Sequence, residues 1–365
     1  MSGIVSDNTD DGSGVINAPA GGATVSSSDP TTSTNAELGT NWVNSTTGDY
    51  YILTDATAGE NVWTNVDAGQ DSIQPPQPFG GQGGGTNSGY QTGGYPSYQN
   101  VIQKYSYSSD GNSVDVSNLT RNVNHCAGNS SLTHGYTCLG APSGTDTIDK
   151  FNFVAGSDAT DVGNATVVGF YPSTASSSTY GYICCGYGPH ISVIDKNAYA
   201  SDGNSSDVGD PAVTVDHTAG SASETYGYCH GGTERPSNAV SNVIQKYSFS
   251  SDGNSSDIAN LTVAAGEKSG QSSVGYGYAS AGGTSPLGLI EKYSHSSDAD
   301  ATSVGNLIRG GGYRAGSSST TYGYAAGNIT APYSEIDKWS FSSDGDSSDV
   351  GDLVAAYAAG AGCQY

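Results

Sequence analysis

Six times along the chain the tripeptide Ile-x-Lys returns, at residues 102–104, 148–150, 194–196, 244–246, 290–292 and 336–338. The lysines fall 46, 46, 50, 46 and 46 residues apart, and they are six of only seven in the 365-residue chain. A fixed period of this length marks a repeat architecture, in which each unit buries its apolar face against its neighbours. Two further signals keep the same beat. A Gly-Tyr step, usually Tyr-Gly-Tyr, ends at Tyr90, Tyr136, Tyr182, Tyr228, Tyr278 and Tyr324, and a β-branched residue recurs at Val116, Val162, Val208, Ile258, Val304 and Val350. The one four-residue surplus belongs to residues 233–242, TERPSNAVSN.

Each unit reads as four short strands. The Tyr-Gly-Tyr step and the Ile-x-Lys-aromatic stretch alternate with period 2 and are rich in aromatics, as half-buried strands are. The Asp-Gly pairs at 110–111, 202–203, 252–253 and 344–345 supply hairpin turns. A third strand carries the β-branched slot, and a stretch of Ala, Gly and Ser makes a strand narrow enough to crowd an axis. Four strands in about 46 residues is the size of a propeller blade. The fold class expected is therefore all-β, with a six-bladed β-propeller over residues 89–365. The first unit opens on its Tyr-Gly-Tyr strand and the last stops after its small-residue strand, so pairing the C-terminal strand with residues 89–94 would complete one blade and remove both open edges. The double Gly after an aromatic strand, followed by a second aromatic strand and a hairpin, resembles the kelch repeat, although the Trp usual late in a kelch unit is missing.

The 53 Gly and the polar composition would by themselves suit a disordered chain, but the 25 Tyr and the ordered repeat oppose that. A net charge of −24 excludes a nucleic-acid footprint and docking on anionic lipid. No run of 18 apolar residues is present, and the opening MSGIVSDNTDDGSG lacks the basic and apolar regions of a secretory signal. The six Cys form no regular ladder and are expected to be reduced thiols.

Ahead of the repeat, residues 1–34 read as an extended polar arm. Residues 35–66 read as a small β-meander with a Thr-Gly-Asp turn at 47–49, and residues 67–88, with Pro75, Pro76, Pro78 and GGQGGG, as a linker. The meander is small for independent stability, so Trp42, Tyr51, Ile52 and Trp63 are expected to need copies of the chain or a scaffold to be buried. Its pattern of Gly39, Thr40, Trp42, Asn44, Thr46, Thr47, Gly48, Tyr51, Thr54, Asp55, Ala58, Gly59, Val62 and Trp63 resembles a short module of bacteriophage tail-fibre and other virion proteins. The repeats likewise look like those of marine and cyanobacterial phage structural proteins. The resemblance implies a virion location, made in the host cytoplasm, with other virion proteins and copies of itself as partners. It also implies a host-surface glycan or protein as a target for the propeller.

Each repeat Lys is expected to pair with a carboxylate on the adjoining strand or blade; Asp115, Asp161, Asp207, Asp257 and Asp349 recur at a matching slot, Ser303 breaking the series. The Ser-Asp-Gly-Asn turns offer too few oxygens for calcium and read as hairpins. One slot holds Cys138, Cys184 and His230 in consecutive units, soft ligands in type, but small buried Cys is the plainer reading, and no metal or cofactor is expected. No catalytic constellation is present, and the six His look scattered, so an enzyme is not expected; a glycan-acting propeller and a secreted adhesin are the alternatives. The irregular loops are the expected receptor contacts: Thr233, Glu234, Arg235 and Asn238 in the surplus segment, and residues 141–147 and 327–334, with exposed Tyr suited to stacking on sugar faces.

Overall fold

The computed structural model describes residues 23–46, 49–65, 87–188, 192–283, 288–330, 334–355 and 358–365. Among them there are strands and turns but no helix. The chain divides into two compact units, 1–77 and 78–365. The arm before residue 23, the turn at Thr47 and Gly48, His190 and nearly all of the linker lie outside the described residues.

The N-terminal unit is one four-stranded sheet in the order Thr24–Ser26, Asn41–Asn44, Tyr50–Asp55, Val62–Asn65. The first pair is parallel and the others antiparallel. Period-2 alternation sends Tyr51, Leu53 and Trp63 to one face, where they are buried and Trp42 closes on Trp63 edge to face at 5.8 Å. Two sequence expectations change here. Residues 24–34 do not extend the arm: they add a strand and lay a loop on the sheet, through Trp42 Nε1 donating to Ser28 O at 2.9 Å and Asn44 Nδ2 to Asp29 at 2.7 Å. Tyr51 and Trp63 are therefore covered by the unit's own chain, and only Trp42 and Ile52 stay partly open.

The C-terminal unit is propeller-like and built of repeated four-stranded antiparallel sheets. Sheet 2 is typical: a small-residue inner strand Ala127–Ser130, the Tyr-Gly-Tyr strand His134–Cys138, the Ile-x-Lys strand Thr145–Asn152 and the outer strand Thr160–Gly169. Sheets 3 to 6 follow with inner strands Ser173–Ser176, Ala219–Ala222, Ser269–Ser272 and Ala315–Ser318. Sheet 1 takes its inner strand from the other end of the chain: Ala361–Gln364 pairs with Ser88–Thr92, in the register Ala361↔Thr92 to Gln364↔Gly89. A short extra pair joins Val215–Asp216 to Thr233–Glu234.

The repeat letters acquire physical reasons. The Gly of this step is the floor under an aromatic ring of the adjoining strand in five units, Gly181 facing Asn129 and Asn197 instead; a Cβ on Gly89 would stand 2.4 Å from the Tyr105 ring. The following Tyr crosses to the next sheet, Tyr136 on Tyr199 at 4.8 Å and Tyr278 on Phe341 at 4.7 Å; Tyr324 of sheet 6 reaches Tyr107 of sheet 1 at 4.5 Å. All six of these Tyr are buried and belong to the core, whereas the first Tyr of the step stays exposed at Tyr226, Tyr276 and Tyr322.

Of the two arrangements expected for the lysines, the pairing to the adjoining blade is found, with acids other than those at the matching slot. Lys150, Lys196, Lys246, Lys292 and Lys338 reach the hairpin-turn acid of a neighbouring sheet, Asp202, Asp252, Asp298, Asp344 and Asp110 in turn. Three of the acids at the matching slot, exposed Asp161, Asp207 and Asp349, instead accept from the backbone N two residues on, Gly163, Gly209 and Gly351, each at 3.1 Å. Lys104 has no such acid because its turn slot is Gly156, and it rests near the Tyr90 ring at 5.6 Å. The Ser-Asp-Gly-Asn turns are latches as well as hairpins. Asn204 Oδ1 accepts Asn164 N at 3.0 Å, and Asn112 accepts Asp352 N at 3.0 Å.

The middle residue of Ile-x-Lys is the part sequence reading missed. Gln103, Asp149, Asp195, Gln245, Glu291 and Asp337 are all buried, and each holds the crossover arriving from the preceding sheet. Gln103 Oε1 accepts Val354 N and Ala355 N at 2.9 Å, and Asp195 accepts Thr166 N at 2.7 Å. Burial raises the carboxyl of Asp195, and raises that of Asp337 to about 6 even with Arg314 beside it.

His295 breaks a slot that Tyr107, Phe153, Tyr199, Phe249 and Phe341 fill elsewhere. It stacks on Tyr228 at 5.0 Å, and neither ring nitrogen finds a partner. Burial pushes its pKa down to about 4. An unfolded His titrates near ~6.5, so between these values the folded protein binds fewer protons. The contribution is whole above the unfolded value and is lost as pH falls through this window. His295→Phe is expected to stabilise the unit by about 1 kcal/mol at neutral pH and to flatten its decline between pH ~6.5 and ~4. Melting curves of variant and parent across that range check this; superposable acid profiles would contradict it.

Candidate functional site

Each sheet's crossover and its loop between second and third strands meet at one end of the propeller-like unit, as the bridges Asn124↔Ala141, Phe170↔Tyr187 and Gly282↔Gly311 record. There, just before each inner strand, stand His125, Tyr171, His217, Glu267, Tyr313 and Ala359, all left-handed, with φ of 51°, 58°, 54°, 61°, 58° and 55°. Six non-glycine residues held in this region is an arrangement the surrounding structure must impose. Backbone bonds link them: Tyr171 N to His125 O, Glu267 N to His217 O, Tyr313 N to Glu267 O, Ala359 N to Tyr313 O, and His125 N back to Ala359 O, at 2.6–3.1 Å.

The side chains converge into a plug. Tyr171 stacks on His217 at 3.6 Å and lies 4.3 Å from His125; Tyr313 is 5.2 Å from His125 and 5.9 Å from Tyr171. Two of the histidines that look scattered in sequence thus share one cluster. Burial, then the nearby His217, lowers His125 to about 4. Burial, then the hydrogen bond to Glu267, raises the Tyr313 phenol. Beneath the plug a cavity of about 80 Å³ is lined by Gly128, Gly220, Gly316, Lys268 and Arg314 among others. Lys268 and Arg314 are themselves buried and paired, with Glu291 at 2.6 Å and Asp337 at 2.8 Å.

An aromatic run leads outward from the plug. Tyr171 meets Phe170 at 5.0 Å, Phe170 meets Tyr187 at 5.1 Å, and the Arg235 guanidinium lies 5.0 Å from the centre of the Tyr187 ring. Ser143, Gly144, Val168, Gly169, Phe170, Tyr187 and Gly188 line an open cleft of about 450 Å³, with Tyr187 39% exposed. Two of the loops expected to make contacts therefore meet at Tyr187: residues 141–147 through Ser143 and Gly144, the surplus segment through Arg235. The third, 327–334, is tied instead to Gly310 O by Asn328 and Thr330, and its residues 331–333 lie outside the described residues.

Within the surplus segment the roles divide. Arg235 is engaged by buried Asp216, its Nη2 donating at 3.0 Å, while His217 Nδ1 meets the same carboxylate at 2.6 Å. Burial alone would raise the Asp216 carboxyl, but the hydrogen bonds from His217 and Arg235 hold it below its ordinary range. Thr233 and Glu234 are half-buried in their strand pair, and Glu234 accepts from Ser241 Oγ at 3.2 Å. Only Asn238 of the four residues singled out is exposed, at the tip with Pro236 and Ser237.

The slot of Cys138, Cys184 and His230 does not form a set. His230 faces Tyr293 at 5.7 Å, with both ring nitrogens unpaired, and Cys138 packs with Ile148 and Ile183. What the structure brings together is Cys184, Cys185 and Cys229. Scanned against known family models the chain matches none, and no curated protein is similar to it.

Proposed function

We propose that this chain is a bacteriophage virion structural protein, attached through its N-terminal unit and displaying a closed six-bladed β-propeller whose loop-bearing end binds a host-surface glycan or protein. The reading rests above all on the N-terminal pattern from Gly39 to Trp63, carried by a unit with a hydrophobic core of its own. Closure is supported by four ties between the chain's ends: the strand pair Ala361–Gln364 with Ser88–Thr92, Lys338 with Asp110, Asp352 with Asn112, and Tyr324 with Tyr107. Binding is favoured over glycan hydrolysis by the cleft at Tyr187. Hydrolysis needs two carboxyl groups facing one cavity, whereas the residues lining this cleft carry none.

The test separates the two units. Residues 1–66 joined to an unrelated reporter are expected to assemble onto the particle that carries this protein, and residues 87–365 alone to stay soluble and unattached. An isolated C-terminal unit that decorates particles, with a reporter fusion that does not, would overturn the division of labour.

A further inference from the structure

Cys184 closes the strand Tyr180–Cys184 of sheet 3, and Cys185 follows it with φ of +64°. Consecutive strand residues ordinarily point to opposite faces. Here the left-handed turn at Cys185, a slot filled elsewhere by Gly93, Leu139, Gly231, Ala281 and Gly327, ends the alternation, and the two sulfurs stand 3.4 Å apart. Cys229, from the strand Tyr226–His230 of sheet 4, brings its sulfur to 3.8 Å from Cys185. All three are fully buried, and the three sulfurs lie within 4.8 Å of one another. Their surroundings are Ala175, Ile194, Val215, Ala222 and aromatic rings, with the Thr218 hydroxyl 3.0 Å from the Cys229 sulfur.

We propose that Cys184, Cys185 and Cys229 form a three-sulfur site for one thiophilic d10 metal ion, copper(I) before zinc(II), clipping sheet 3 to sheet 4. The spacing fits. Metal–sulfur bonds of ~2.3 Å place the sulfurs about 4.0 Å apart in a trigonal plane and about 3.8 Å apart in a tetrahedron. Thiolate donors select soft ions. Among the described residues neither imidazole nor carboxylate completes the set, and the oxygen donors against it are neutral hydroxyls, of Thr218 and Ser173. That favours an ion content with three ligands over zinc, which takes four. Binding breaks S–H bonds and forms metal–sulfur bonds; the displaced protons pass to solvent, and no electron is transferred. Because the sulfurs are sealed, the ion enters as the unit folds, and its binding adds to folding stability.

The experiment uses the full chain, produced with copper or zinc in the medium and purified under reducing, oxygen-free conditions. Expected are close to one copper per chain by elemental analysis, an X-ray absorption spectrum with sulfur-only neighbours near ~2.3 Å, and a melting temperature above that of the metal-free protein. Cys229→Ser and Cys185→Ser should each lower copper content about tenfold or more and cancel the melting shift, while Cys126→Ser, at a buried thiol outside the cluster, should retain both. Zinc bound in the same amount and lost in the same two variants supports the thiophilic site and reverses the order of preference. The proposal is overturned by metal content near zero under both conditions. It is also overturned by metal that survives both substitutions, or by a Cys185–Cys229 disulfide in protein never exposed to oxidant. The wild-type metal content and spectrum decide even if a variant fails to fold.

Discussion

Gly270→Val is expected to prevent the C-terminal unit from folding. A Cβ at Gly270 would stand 1.8 Å from Gly220 O, and that contact is backbone, which no rotamer change relieves. Nor can the neighbour move away. A Cβ on Gly220 would itself meet Thr174 O at 2.0 Å, one on Gly316 would meet Gly270 O at 2.3 Å, and one on Gly362 would meet Gly316 O at 2.0 Å. The inner strands are packed backbone to backbone, so a displacement at one passes to the next. Overpacking in a core that can relax costs ~1–3 kcal/mol; here relaxation is denied, and the cost should exceed ~4 kcal/mol, a large share of a domain's whole stability. Gly275→Ala is the control, since a Cβ there meets nothing within 4 Å. Circular dichroism and thermal melting should show an unfolded or aggregated Gly270→Val protein and a Gly275→Ala protein within ~0.5 kcal/mol of the parent. A folded Gly270→Val protein with an unchanged melting point would refute the packing described.

Much of this architecture is legible in the sequence because each repeat letter answers to one physical demand. Ile102 and its counterparts are core, the Gly of Tyr-Gly-Tyr makes room for a ring, and the small-residue strand is small because it faces other backbone. What was misread concerns neighbours. Lys150 and Asp161 are 11 residues apart and Lys150 and Asp202 are 52, and nothing in a periodic sequence says whether a side chain bridges within a unit or to the next. The polar middle residue of Ile-x-Lys could have been noticed, since Gln, Asp or Glu recurs there in all six units between a core Ile and the repeat Lys. The plug of His125, Tyr171, His217, Glu267 and Tyr313 could not be found by residue type, because the slot has no common type; only the period locates it. Cys185 was passed over because alternation places it opposite Cys184, a rule that fails at a left-handed residue. In the N-terminal unit, the polar composition of residues 1–34 hid the strand Thr24–Ser26 and the loop that cover Trp42's side of the sheet.

The two ends of the C-terminal unit complete one sheet. Ala361–Gln364 pairs along its full length with Ser88–Thr92, Ala361 and Cys363 are buried, and Gln364 receives Ser318 N and donates its own N–H to Ser130 Oγ, both at 3.0 Å. A chain ending at Gly360 loses all of these at once. It leaves Ser88–Thr92 as a bare edge and opens a gap between the inner strands Ala315–Ser318 and Ala127–Ser130. Units that stabilise one another only through neighbours lose stability together when one interface is removed. The direct measurement is thermal unfolding of the chain truncated after Gly360 beside the full chain, with hydrogen exchange followed on Tyr90 and Tyr136. Expected is a melting temperature lower by roughly 10 °C or more, for a loss of several kcal/mol in a unit of this size, with protection lost in sheet 1 and in the sheets flanking the gap. An unchanged melting temperature, with Tyr90 still protected, would contradict closure.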